Sequence, residues 1–234
     1  MNDANDRAPV VVLVSANQEW KVVTRYYRPE STEQTPFGEC FRRQVGGCEV
    51  MFVHGGWGKI SAAASTQYAI DRWKPALLVN LGTCGGLAGQ IERDTVLLVN
   101  ETLVYDIYER MGDAEAARAF YSVKNDLSWL REPLPQPVLR ARLLSADQDI
   151  NPDEIGAMKA RYQGVAADWE TGAIVWVASA NGVRCLVLRA VSDLVGEDGG
   201  EAYVGDLAVF ENAAGRVLTP MLDALPQWLA CALA

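Results

Sequence analysis

Short β-branched runs recur along this chain, and most are followed by a glycine or polar turn and then by helical sequence. "PVVVLV" (Pro9–Val14) leads to "SANQEW" and a helix through Tyr26. "EVMFV" (Glu49–Val53) leads to "HGGWGK" and the small-residue helix Ile60–Trp73, stopped by Pro75. "ALLVN" (Ala76–Asn80), "DTVLLVN" (Asp94–Asn100), "RLLSA" (Arg142–Ala146) and "RCLVLRAVSD" (Arg184–Asp193) are further strands. "TGAIVWVASA" (Thr171–Ala180) reads as a buried helix closed by Asn181–Gly182, and the chain after the last strand reads as helical. Strands that are apolar throughout, rather than at alternate positions, have both faces covered. The pattern therefore predicts an α/β fold: one helix-covered, mixed and largely parallel sheet.

The 234 residues suit one domain spanning residues 10–234. Residues 1–9 ("MNDANDRAP") are polar, read as a flexible leader, and lack the apolar core of a signal peptide. No apolar run reaches membrane-span length. Residues 106–137 are charged and punctuated by proline, an excursion of the kind that forms lids or interface segments. The formal net charge of −9, with no basic stripe, argues against nucleic acid as a partner. Five cysteines without CxxC spacing and a single histidine, His54, argue against a zinc site and for a reducing, cytoplasmic setting.

In open α/β sheets, ligands bind beyond the carboxyl ends of the strands. There the chain places Ser15–Glu19, Gly55–Lys59, Thr83–Gly86, Asp147–Asn151 and Ser192–Asp193, with Asp168–Glu170 ahead of the buried helix. Acidic groups, two glycine loops and little positive charge suit a polyol reacting through a cationic transition state better than a phosphate. Each piece also has a plain structural reading. "SD" after a strand is a helix N-cap, and Glu19, Asp168 or Glu170 is first-turn charge favoured by the helix dipole. His54 is a packed loop histidine, while Trp169 and Trp176 are core. "GGWGK" is neither a GxGxxG nor a Walker A motif. In "LLVNLGTCGGL" (Leu77–Leu87) the glycine doublet suits a sharp turn or a close ligand, and on this stretch alone the strand-to-helix turn is the favoured reading.

The order of three segments is more specific. "NLGTCGGL", "ADWETGA" and "LRAVSDL" resemble the marker segments of the nucleoside phosphorylase and nucleosidase superfamily, and most of all those of the 5′-methylthioadenosine/S-adenosylhomocysteine nucleosidases. "GGWGKISAAAS" is similar to that family's glycine loop and Ala-rich helix. The resemblance implies a fold of the purine nucleoside phosphorylase type and hydrolysis of the N-glycosidic bond of a purine nucleoside or 5′-thio analogue. It further implies a homodimer with a flap, in which no metal or organic cofactor takes part.

By the same resemblance Asp193 is the general acid that protonates the purine at N7, which requires its pKa to be lifted from about 3.9 to near neutrality. Glu170 accepts the ribose hydroxyls, Glu19 activates water, and Arg189 helps to hold that water. Thr83, Cys84 and Gly85 approach sugar and base, Ser192 stands beside the acid, Ile150 offers its backbone to the base, and Tyr203 lines the 5′-pocket. Trp169 replaces a methionine against the ribose, and Asp149 stands where some relatives stack an aromatic on the purine. Ser15 and Asn17 replace the usual first-turn residues. That segment is aligned on Glu19; a shift of one residue would put Trp20 at the base. Asn80 and "SANQE" stand where phosphorylases carry phosphate-binding arginines, which favours water as nucleophile. The alternatives are a phosphate-dependent phosphorylase and a nucleoside-binding protein without catalysis.

Overall fold

A computed structural model describes residues 10–203 and 207–233; the expected leader lies outside the described residues. The chain runs β1 (Val10–Val14), α1 (Asn17–Tyr27), β2 (Glu33–Gln34), β3 (Glu39–Val45), β4 (Cys48–His54), α2 (Gly58–Trp73), β5 (Leu77–Leu87) and β6 (Val96–Val104). It continues α3 (Ala114–Phe120), β7 (Ser122–Lys124), β8 (Leu139–Ser145), the single turn α4 (Ile155–Ala157), β9 (Ala166–Asp168), α5 (Thr171–Ala180), β10 (Arg184–Gly196), β11 (Gly199–Gly200) and α6 (Leu207–Leu233).

The apolar strands are buried on both faces, as their composition requires. Val10, Val12 and Val14 point into one core with α1 and α6, while Val11 and Leu13 point into a second with α2 and α5. Leu186 and Leu188 divide from Cys185 and Val187 in the same way on β10.

The sheet is mixed, and parallel pairing does not dominate it. β4–β1–β5–β10 is parallel throughout, as are β6–β8 and β8–β9. Antiparallel pairs β10–β6 and β5–β9 join these two sets. Because β5 pairs with both β10 and β9, the strands β5–β10–β6–β8–β9 close on themselves into a five-stranded barrel. Closure removes two sheet edges and could not have been read from apolar runs, which carry no strand direction. The β2–β3–β4 hairpin adds an antiparallel edge.

"LGTCGGL" is not a turn. All of it lies within β5, and neither Gly85 nor Gly86 has a positive φ. These glycines provide room instead. A Cβ on Gly86 would stand 2.8 Å from Ile91 Cγ2, Leu194 Cδ2 and Val191 Cγ1 at once. Gly86→Ala should therefore overpack the barrel by about 1–3 kcal/mol, and thermal unfolding should show a Tm lowered by several degrees. An unchanged Tm would mean that the three side chains move aside freely.

Residues 106–137 hold two unlike halves. β7 pairs with β6, and Leu127 and Leu130 are buried in the α6-side core. Ahead of them Tyr108, Met111 and Phe120 are largely exposed.

Candidate active site

A cavity of about 540 Å³ opens where β1, β4, β5, β8, β9 and β10 present their carboxyl-terminal residues. Glu19, Thr83, Cys84, Gly85, Ile150, Trp169, Glu170, Ser192, Asp193 and Tyr203 line it. The structure thus brings together all but one of the expected residues. Five carboxylates face the space (Glu19, Asp149, Asp168, Glu170 and Asp193), and among the described residues no lysine or arginine does.

Arg189 is the exception. It is 1% exposed and lies beneath the cavity, where its guanidinium is occupied by protein rather than free to hold water. Nε donates to Thr171 Oγ1 (2.8 Å), Nη1 to the Thr83 carbonyl (3.2 Å) and Nη2 to Asn80 Oδ1 (2.9 Å). Nη2 also pairs with Asp168 Oδ2 at 3.0 Å, and Nη1 lies 3.9 Å from Glu19 Oε1. Burial acts to lower the arginine's pKa, but Asp168, Glu19 and Glu170 outweigh it and hold the charge in place. Gly82 makes this possible. It sits opposite Arg189 in the β5–β10 register, and a Cβ there would be 2.0 Å from Nη1.

Glu19 closes the cavity floor at the start of α1, itself only 2% exposed. Its Oε2 accepts from the Ala16 amide (3.2 Å), half of a capping box. Its Oε1 accepts from the Thr83 amide (2.6 Å) and hydroxyl (2.8 Å). These contacts support the alignment anchored on Glu19. Trp20 points away, stacked on His54 with ring centroids 5.4 Å apart. Thr83 spends its hydroxyl proton on Glu19 rather than on a ligand.

Asp168 takes the capping work at α5. It accepts from the Thr171 amide and hydroxyl and from Ser145 Oγ (2.6 Å). Glu170, two residues on, is thereby free to face the cavity, where its only protein donor among the described residues is the Gly58 amide at 3.0 Å. Burial first, then the Asp168 charge, raises the Glu170 pKa. A buried carboxylate with open acceptor positions favours a ligand that supplies hydroxyl donors. Gly58 is held in a left-handed conformation (φ +83°), and the next residue, Lys59, ties this loop to Asp147 (amide to Oδ1, 2.7 Å) and to Asp106.

At the other end, β10 carries a bulge. Val191 pairs with Cys84 and Asp193 with Gly85, so Ser192 is the extra residue, and the local kink re-aims the side chain that follows it. Ser192 Oγ donates to Asp193 Oδ1 at 2.5 Å. Asp193 is half-buried, and its pKa is raised chiefly by burial, with help from Glu201 and Asp149, against the lowering effect of the Ser192 hydroxyl and of Arg93. Tyr203 reaches in from beyond β11, its hydroxyl donating to the Ile150 carbonyl at 2.7 Å. The carbonyl of Ile150 is therefore already engaged. Burial pushes the Cys84 thiol well above its ordinary pKa, so it lines the wall as a small neutral group.

Trp169 is not core: it lines the cavity and stacks on Trp57 (centroids 4.7 Å, 26° between planes). Trp57 lay within the expected Gly55–Lys59 segment but had no role of its own there, and Gly82, Ser145 and Thr171 escaped the sequence reading. Only Gly82 left a signal there, as the unexplained third glycine of "GTCGG".

A family model described as the phosphorylase superfamily matches residues 9–225, and the chain belongs to that family. A 5′-methylthioadenosine/S-adenosylhomocysteine nucleosidase of a Marinomonas species is 24% identical over 226 residues, 91% of this chain and 98% of that protein. The crystal structure of the Campylobacter jejuni enzyme of the same name superposes with a TM-score of 0.75 at 15% identity, covering 94% of this chain and 99% of that one. The native futalosine hydrolase of Helicobacter pylori superposes with a TM-score of 0.72 at 14% identity, covering 92% and 97%. At these identities the structural matches are likenesses of fold.

Proposed function

We propose that this protein is a nucleosidase that hydrolyses the N-glycosidic bond of a purine nucleoside, or of its 5′-thio analogue, to free base and sugar. The observation that carries this reading is the charge of the cavity: five carboxylates and, among the described residues, no cationic side chain. Breaking the bond leaves positive charge on the sugar, which the ionised carboxylates at the sugar end stabilise as it develops, while Asp193 enters the reaction protonated. A phosphate dianion in the same dry space would be repelled and poorly solvated. At Asn80, where a phosphorylase arginine is expected, the amide is fully buried and already bonded to Leu13 and Arg189. The curated relatives named as nucleosidases support the same choice of nucleophile.

In this reading Glu170 accepts the sugar hydroxyls, Glu19 takes a proton from water on the face above Thr83, and Asp193 delivers its proton to N7 of the departing base. Glu19 and Asp193 are the catalytic pair. Arg189 and Thr83 orient Glu19, and Gly85 leaves the base room beside Ile150. No metal or organic cofactor is needed for these steps. The exposed Tyr108, Met111 and Phe120 support a homodimer in which residues from 106–137 cover the neighbouring cavity. Among the described residues no helix is long and apolar enough to cross a membrane, and the free cysteines fit a cytoplasmic setting.

The test is base release from adenosine, inosine, methylthioadenosine, S-adenosylhomocysteine and futalosine, with and without phosphate. Base plus free sugar in phosphate-free buffer is the expected result. Release only with phosphate would make the protein a phosphorylase. Ligand-induced stabilisation without release from any of them would make it a binding protein.

Glu170→Gln should lose both affinity and rate. Replacing a charged acceptor for hydroxyl donors costs about 1.5–3 kcal/mol, roughly 10- to 10²-fold in kcat/KM. Unchanged kinetics would mean that the sugar is held elsewhere.

A further inference from the structure

Two backbone groups of the segment Ser192–Asp193–Leu194, the carbonyl of the bulged residue and an amide just beyond it, are caught by ion pairs outside the cavity. Arg216 of α6 donates from Nη2 to the Ser192 carbonyl (3.0 Å) and from Nε to Asp94 Oδ1 (2.8 Å). On the other side, the Leu194 amide donates to Glu201 Oε2 (2.9 Å), while Glu201 Oε1 pairs with Arg93. Arg93 and Asp94 are neighbours of opposite charge in the loop entering β6, and each anchors one side of Asp193. The loop is itself fixed to the bulge, because the Asp94 amide donates to the Val191 carbonyl (2.9 Å) and the Val191 amide to the Thr95 carbonyl (3.0 Å).

We propose that the Asp94–Arg216 and Arg93–Glu201 pairs form a two-sided brace that positions the Asp193 carboxyl for proton delivery. A bulge is inherently pliable because its extra residue lacks ladder hydrogen bonds. A general acid misplaced by about an ångström loses much of its rate. These four residues lie outside the cavity lining and are positioning residues. The inference rests on the assignment of Asp193 as the acid.

The brace also carries charge close to that acid. Ser192 and Cys84 of the barrel strands, Asp149 of the loop after β8, Glu201 and Tyr203 of the turn after β11, and Arg93 are the polar and titratable groups that face Asp193. Among them Glu201 raises its pKa and Arg93 lowers it. Removing one charge of the pair should therefore move Asp193 in a direction set by which charge is lost, a signature that general loosening would not produce.

The experiment measures the Asp193 carboxyl by carbon-13 NMR titration, assigned with Asp193→Asn, together with kcat and KM across pH. Arg216→Met should lower kcat about tenfold with KM changed less than about twofold, and Arg216→Lys should recover part of the loss. Glu201→Gln should shift the Asp193 titration to lower pH, and Arg93→Met should shift it to higher pH. Equal kcat in Arg216→Met and wild type, or titration shifts of the same sign in the two charge variants, would overturn the brace. If the wild type cleaves no nucleoside, the proposed function fails, and the opposite shifts in the NMR titration still decide whether the brace acts on Asp193.

Discussion

Asp193→Asn should reduce kcat by about 10²–10⁴, the contribution of a positioned general acid, while leaving substrate affinity within a few-fold of wild type. Asparagine fills the same volume and can still accept from Ser192 Oγ, so the bulge and its hydrogen bond at 2.5 Å are preserved. What it cannot do is surrender a proton to the base. The pH profile provides a second test. Burial, Glu201 and Asp149 raise the Asp193 pKa, so the protonated, competent form persists to higher pH than for a solvated aspartate. Activity in kcat/KM should fall as pH rises through that raised pKa, and Asp193→Asn should lose that alkaline limb. A variant that turns over at wild-type rates would remove Asp193 from the reaction and leave the carboxylates at the sugar end as the whole of the chemistry.

Much of this site was legible because its residues lie in short segments at strand ends. Glu19, Glu170 and Asp193 each follow an apolar run that could only be a buried strand or precede a buried helix, and the fold gathers them as expected. The misreadings share a physical origin. Gly85 and Gly86 were expected to serve a turn because glycine is usually read through its dihedral freedom, and the turn is the part of that reading the extended strand overturns. In β5 they, and Gly82 with them, serve by having no Cβ in an extended strand crowded by Arg189, Ile150 and Leu194. That crowding depends on which strand lies alongside, which sequence does not state. Arg189 was expected to hold water for the same reason: its motif fixes its position in β10, but not that Asn80, Thr171 and Asp168 surround it first. β3 went unread because "ECFRRQV" pairs arginines with apolar residues, as suits an edge-side strand with one solvated face. Barrel closure depends on β9, only three residues long, and no pattern argument reaches an element of that length.

Arg189→Met should be the most damaging of the substitutions to the fold itself. Methionine replaces much of the stem volume, so the loss falls on charge and hydrogen bonding. The guanidinium makes bonds to Thr171, Thr83 and Asn80 and pairs with Asp168, all at 1–3% exposure for the paired side chains. Removing one partner from such a buried group leaves uncompensated carboxylates, at a cost of about 3–5 kcal/mol. The sign of the pH dependence separates charge from packing. Glu170 already has a raised pKa, from burial and Asp168, with Arg189 acting to lower it. Without Arg189 it rises further, so the folded state of the variant holds a proton that the unfolded chain releases. Stability tied to that proton is fully present below the unfolded carboxylate pKa and is lost as pH rises through the folded value. Urea unfolding at pH 5 and pH 8 should therefore show the deficit of Arg189→Met relative to wild type narrowing at the lower pH. An equal deficit at both would assign Arg189 to packing alone and take away the electrostatic reason for the Gly82 gap beneath it.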